Sequence, residues 1–280
     1  MDWENDLDKI MHLCICLIQS GVDRNVAPAH EWKHDAKILG LKLFRHSASA
    51  RQVAAGVTFG LNNNEHFSHI DHSSVAVIVR SALETYLAFN YIFINKDEQL
   101  SSYRHKLWKH SGLIERSKLS ASTPEGKEVL FREAILIEEL KNEILSNPFF
   151  LECNSDARKE IKNGAWRPKG GWYTVTGQTD IHEKYFSNIY NHLSCHSHSS
   201  YISALQTRDA STIEDQQMLV RASCQNLCLI LAHFLFSYVE LFPESRNLLE
   251  SDASLFNIAS KWRIQKKNIS FYYDQPSPPV

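Results

Sequence analysis

A chain of 280 residues, 43% apolar and 22% charged, is large enough for a substantial core, and its makeup excludes the disordered, collagen-like and coiled-coil classes. A net charge of −2 supplies no whole-molecule field for a polyanion, so nucleic-acid binding would have to use a local basic patch. The six cysteines lack paired CxxC knuckles and read as reduced thiols, and the acidic start MDWENDLDKIMHLCICLI has the wrong charge for a signal peptide, so a cytoplasmic protein is expected.

Leu7, Ile10, Met11, Cys14, Ile15 and Ile18 recur at spacings of three and four and predict an amphipathic helix over 4–19, ended at Gly21. After a break through Asn25 and Pro28, a second helical region is expected over about 30–59, with Ile38, Leu41 and Phe44 on one face. The asparagines at 62–64 close it, so 1–62 reads as a helical hairpin. The segment DHSSVAVIVRSALETYLAFNYIFIN, capped by Ser73 or Ser74, predicts a central helix that is apolar on nearly every face. Further helices are expected over 98–118 and, from a Thr-Pro start, over 124–145. Between 150 and 180 the pattern lapses into a Gly- and Trp-rich insertion in which 173–176 could form a short hairpin arm. Asp180 is the expected cap of a helix through Tyr185, Ile189 and Leu193 that runs toward Leu205, and a long helix over about 213–242 precedes Pro243.

The segments 75–94 and 227–242 approach the length of a membrane span. The first carries Arg80, Glu84 and Asn90 and the second His233 and Glu240, so both are read as buried core helices with no membrane role. The expected fold is therefore all-α: a single-domain bundle of about eight or nine helices over 1–260, with one irregular Trp/Gly-rich insertion. A tail over 261–280 ends proline-rich and is expected to stay flexible.

Arg80 and Glu84 stand one helical turn apart on an otherwise apolar helix, where a charge needs a partner. They read either as a structural ion pair that fixes packing or as a charged pair lining a cleft. The segment IYNHLSCHSHSSYIS puts His192, His196 and Ser199 on one helical face and Ser194 and His198 on another. Zinc through His192, Cys195, His196 and His198 is disfavoured, because i, i+4 geometry lets only His192 and His196 converge; no metal and no cofactor is expected. His182 and the other histidines here could equally sit on a solvated helix. The basic, aromatic stretch 261–273 could touch phosphate and stack bases, or be a solvated helix end. Nucleophile elbows, Walker loops and dinucleotide fingerprints are absent, which leaves common nucleotide hydrolysis and hydride transfer without support.

Read together, RSALE at 80–84, Trp172, Tyr190, Leu193-Ser194 and His198-Ser199 resemble a bacterial all-helical family known only as a domain of unknown function, over roughly 30–240. The resemblance implies that Arg80, Glu84, Ser194 and His198 face one another as a catalytic group, with Trp172, Tyr190, His192 and Ser199 binding substrate. The histidine-bearing helix resembles, more distantly, HEPN domains, helical proteins of toxin, antitoxin and phage-defence systems. In those domains an arginine four to six residues before a histidine supports RNA cleavage. Here Ser194 stands near where that arginine would fall, so the charge would have to come from Arg80. Literal matches to the spacing occur in RNVAPAH (Arg24, His30) and RHKLWKH, and the second makes Arg104 and His110 a reserve catalytic pair. The resemblances imply an RNA-directed effector, a metal-independent endoribonuclease, with RNA, a partner protein from the same operon or a second copy of the chain as partners. The alternative is a non-catalytic helical interaction module in which the Arg/Glu/His network is structural.

Overall fold

The computed structural model describes residues 2–21, 27–60 and 65–274. The chain is 77% helical and all-α, with one small two-stranded sheet among the described residues. It folds as two compact units: a larger one of Met1–Asn90 with Thr179–Val280, and a smaller one of Tyr91–Gln178.

The larger unit opens with α1 (Trp3–Gln19), whose first turn is closed by Asn5 N–H donating to the Asp2 carboxylate at 3.2 Å. Its buried stripe, Leu7, Ile10, Leu13, Cys14, Leu17 and Ile18, supplies the apolar face that periodicity foretold. A 3-10 turn at Pro28–Lys33 leads into α2 (His34–Ala54). The expected helix to 59 stops at Ala54, because Gly56 takes a φ of +91° that redirects the chain into β1 (Val57–Gly60). β1 pairs antiparallel with β2 (His66–His69), Phe59 opposite Phe67. Both strands are almost wholly exposed, so no one-sided apolar alternation marked them in the sequence. The asparagines at 62–64 and Arg24 and Asn25 lie outside the described residues. α3 (His72–Phe93) follows, and its capping acceptor is Asp71, which takes the Ser74 N–H at 2.9 Å, in place of the expected Ser73 or Ser74.

The smaller unit begins at the end of α3 and continues as α4 (Glu98–Ser117), capped by Asp97, and α5 (Pro124–Leu145), capped by Thr123. Three short helices follow: α6 (Pro148–Glu152), α7 (Ser155–Lys162) and α8 (Trp172–Thr176). Tyr103, Leu107, Ile144 and Phe150 form its core, with Leu100, Phe149, Ile161 and Trp166 packed around them. The segment expected as a hairpin arm is the single turn α8. Gly170 and Gly171, at φ +91° and +60°, bring the chain into it, and Thr176 Oγ1–H closes it onto the Trp172 carbonyl at 2.8 Å.

Back in the larger unit, α9 (Glu183–Ser197) is capped by His182, whose Nδ1 accepts the Lys184 N–H at 3.2 Å. Asp180, the expected cap, is instead drawn away by Arg263 and Gln265 at 3.2 and 3.0 Å. The helix expected to run toward Leu205 breaks after Ser197, since Ser199 takes a left-handed φ of +48° and Ser200 caps a new helix, α10 (Tyr201–Asp209). α11 (Ile213–Leu241) opens on a Thr212/Asp215 capping box and buries most of its second half, from Leu227 to Val239. It packs on α1 and α2, and a side chain at Gly40 would meet the Phe234 ring at 2.9 Å, so only glycine permits the approach.

After a 3-10 turn come α12 (Arg246–Glu250), α13 (Ala253–Trp262) and α14 (Lys266–Tyr273). The Trp262 indole and the Lys261 ammonium both donate to Asp6 at 2.9 Å, and His233 Nε2–H donates to the Ile264 carbonyl at 3.0 Å. Burial would raise the Asp6 pKa, but these donors outweigh it and hold the carboxyl below its usual range. Residues 261–274, expected to begin the tail, are thus folded, and the proline-rich 275–280 lie outside the described residues. The helices outnumber the eight or nine expected because α6, α8 and α12 have five residues each, too few to show a period, because α7 and α14 lie in segments read as insertion and tail, and because one expected helix is divided into α9 and α10. α3 and α11 are long and apolar enough to cross a membrane; 72% and 67% of their most apolar windows are buried in the protein, as core helices also are.

Candidate functional site

In the larger unit, α3 presents Arg80 and Glu84 to α9. The Arg80 Nε–H donates to Glu84 Oε1 at 3.1 Å, and its Nη2–H donates to the Tyr190 hydroxyl at 3.1 Å. Tyr190 in turn donates its own hydroxyl proton to Glu84 Oε1 at 2.9 Å, closing a three-membered ring of hydrogen bonds. The remaining Arg80 nitrogen, Nη1, lies 3.4 Å from His198 Nε2. A guanidinium can only donate, so in a hydrogen bond between the two the Nε2 of His198 is the acceptor.

Backbone geometry accounts for the position of His198. It is the C-cap of α9, with φ −110° and ψ 12°, and the left-handed Ser199 beyond it turns the chain away, leaving the imidazole exposed at the helix end. Tyr190 lies two turns earlier on the same helix, stacked on Phe186 at 5.3 Å and standing 5.2 Å below the Arg80 guanidinium carbon. The Arg80 and Glu84 side chains are 20% and 30% exposed, so the pair borders solvent and is not sealed in the core. Burial works against the Arg80 charge, yet the Tyr190 hydrogen bond and the Glu84 carboxylate outweigh it and raise the pKa above the ordinary arginine value. Burial also raises the Tyr190 pKa, and the neighbouring Glu84 charge adds to it, so this phenol stays protonated.

The other expected residues divide. Ser194 lies one turn before His198 on α9, and its hydroxyl oxygen is buried with no hydrogen-bond partner. His192 joins a different group: its ring is 5.4 Å from His196, which is 5.7 Å from His72 and shares a 3.2 Å hydrogen bond with Ser73. Burial lowers the pKa of all three histidines, and mutual repulsion lowers those of His72 and His196 further. Sequence reading missed this trio because His72 sits at the start of α3 and only packing brings it to α9. Among the described residues no three His, Cys, Asp or Glu side chains converge closely enough to hold a metal ion. Ser199, expected on the face of His192 and His196, has left the helix.

Trp172 belongs to the smaller unit, where the Arg167 guanidinium lies 4.5 Å from its ring and Trp166 meets it edge-on at 5.8 Å. The reserve pair does not come together. Six residues of helix set Arg104 and His110 on different faces of α4. Arg104 donates to the Tyr91 carbonyl and Asn95 Oδ1, both at 2.8 Å, while the His110 ring is buried, its pKa lowered by that burial and its Nε2 without a partner. The other literal match, Arg24 with His30, has its arginine outside the described residues.

The segment that carries these groups also identifies the chain. Residues 64–216, more than half of its length, match the model of a family of unknown function, DUF5677. The chain belongs to the DUF5677 family. Arg80, Glu84, Tyr190, Ser194 and His198 all fall inside the span that defines DUF5677 in this chain, as does the whole smaller unit. No curated protein and no solved structure matches this DUF5677 chain.

Proposed function

We propose that this DUF5677 protein is an RNA-directed effector that cleaves phosphodiester bonds without a metal ion, with Arg80 and His198 as its reacting-site groups. The observation that supports the reading is the 3.4 Å approach of Arg80 Nη1 to His198 Nε2 at an exposed helix end. In this reading His198 removes the ribose 2′-hydroxyl proton, and the resulting oxygen attacks the adjacent phosphorus. Arg80 releases Nη1 to the developing phosphorane charge, and the 5′-oxygen leaves and takes up a proton. Glu84 and Tyr190 are positioning residues that fix the guanidinium through its other two nitrogens, and the unpartnered Ser194 hydroxyl is a donor for a phosphate oxygen. RNA is the partner this reading needs, and a second copy of the chain is a further partner it allows.

The test incubates wild-type protein, Arg80→Ala and His198→Ala with labelled single-stranded RNA under chelator. Expected is cleavage by wild type and a loss of about 100-fold or more in His198→Ala, the scale of general acid–base catalysis, with an unchanged melting temperature. Intact RNA with wild type, or equal rates in all three proteins, would sink the reading. The closed Arg80–Tyr190–Glu84 ring favours a second one, a non-catalytic interaction module in which these bonds only pin α3 to α9. It predicts a wild type inert toward RNA, with the stability lost in Arg80→Ala as that variant's whole effect.

A further inference from the structure

The smaller unit contains a cavity of about 410 Å³, in the range of small-molecule sites, walled by Tyr91, Tyr103, Leu107, Phe149 and Trp166 and reached by Arg104. Two polar groups on its lining lack partners. Tyr103 is 4% exposed, and its hydroxyl makes no hydrogen bond although most buried hydroxyls make at least one. The Arg104 Nε–H is likewise buried and unpaired.

The charge of Arg104 is also uncompensated. Its guanidinium lies 3.9 Å from the Tyr91 ring and donates to two neutral carbonyl oxygens, of Tyr91 and Asn95. No carboxylate among the described residues pairs with it, and burial lowers its pKa, where Arg80 beside Glu84 has its own raised. A desolvated cation, an orphaned phenol and an aromatic wall together form the complement of an apolar body carrying one negative charge. Asp156 and Glu160 on the same lining are balanced by Arg167 and Lys169, which leaves the Arg104 charge to be met by a single negative group.

We infer that this cavity binds a small amphipathic carboxylate, its carboxylate on Arg104 and the Tyr103 hydroxyl and its apolar body against Trp166, Phe149 and Leu107. The site stands independently of the RNA-directed reading of the larger unit.

The experiment titrates the full-length protein with 1-naphthoate and, separately, with neutral 1-naphthalenemethanol, by calorimetry and by tryptophan fluorescence. Expected is saturable binding of the acid at least ten-fold tighter than the alcohol, abolished by Ala157→Phe, which fills the cavity from α7. Tyr103→Phe should weaken the acid several-fold and leave the alcohol unchanged, and Arg104→Gln should erase the preference for the acid. Should Arg104→Gln fail to fold, the acid-to-alcohol ratio and Tyr103→Phe decide the matter alone. Equal affinity for the two probes, binding that survives Ala157→Phe, or no binding of either probe at millimolar concentration would overturn the inference.

Discussion

Arg80 and Arg104 both lie against a tyrosine ring on a half-buried helix face, and their surroundings part there. Arg80 has a carboxylate one turn along its own helix and a phenol across from it, which together raise its pKa. Arg104 has two carbonyl oxygens and no counter-charge, and burial lowers its pKa. An i, i+4 glutamate therefore makes one cation part of a local network, while the other keeps an unsatisfied charge that favours an anion from outside the chain.

The largest expected contrast between the two units comes from acid. His46, His72, His192, His196 and His233 in the larger unit have pKa values lowered by burial, His233 to about 4, against His110 in the smaller. A histidine held neutral in the fold binds fewer protons folded than unfolded, so stability is full above about pH 6.5 and falls as pH drops toward the folded pKa. His233 alone would remove about 3 kcal/mol between pH 6.5 and 4. Hydrogen exchange at pH 4.5 should lose protection on α11 before α4 and α5; loss at the same pH in both would break the contrast.

A smaller effect is expected from Arg80→Ala, which leaves Glu84 and Tyr190 without their shared donor at a cost of about 1–2 kcal/mol by chemical denaturation. Adding Glu84→Gln should recover part of that loss, and an additive double variant would show that the ion pair is idle. Arg104→Met should cost less than about 1 kcal/mol, because two hydrogen bonds are lost while a desolvated charge is relieved. A loss larger than that of Arg80→Ala would invert the comparison. Smallest of all, Tyr103→Phe should change stability by no more than about 0.5 kcal/mol, since the hydroxyl it removes has no partner.

How much of this was legible in the sequence depended on whether the signal was local. The periods of α1, α3 and α11 were, because each buries a stripe or most of its surface, and α5 was legible from its Thr123-Pro124 start alone. The turn spacing of Arg80 and Glu84 was legible for the same reason. The exposed β1–β2 pair and the five-residue helices were not, since a strand with no buried face and a helix of little more than one turn leave no period. The caps at Asp71 and His182 went unread because several neighbouring polar residues could serve, and tertiary partners such as Arg263 claimed Asp180.

The all-α class, the positions of the long helices and the pairing of Arg80 with Glu84 were thus determined by the sequence itself, through spacing along a helix. Tertiary structure decided which residues meet across helices: Tyr190 bridging Arg80 and Glu84, His198 facing Arg80 from a helix that ends one residue before it, and His72 beside His196. It also decided that the Tyr103 hydroxyl and the Arg104 Nε–H, on the lining of one cavity, are left without partners. The physical reason is range: backbone periodicity is read within a few turns, whereas a hydrogen bond between residues 110 or more positions apart exists only once burial has fixed the packing of both helices.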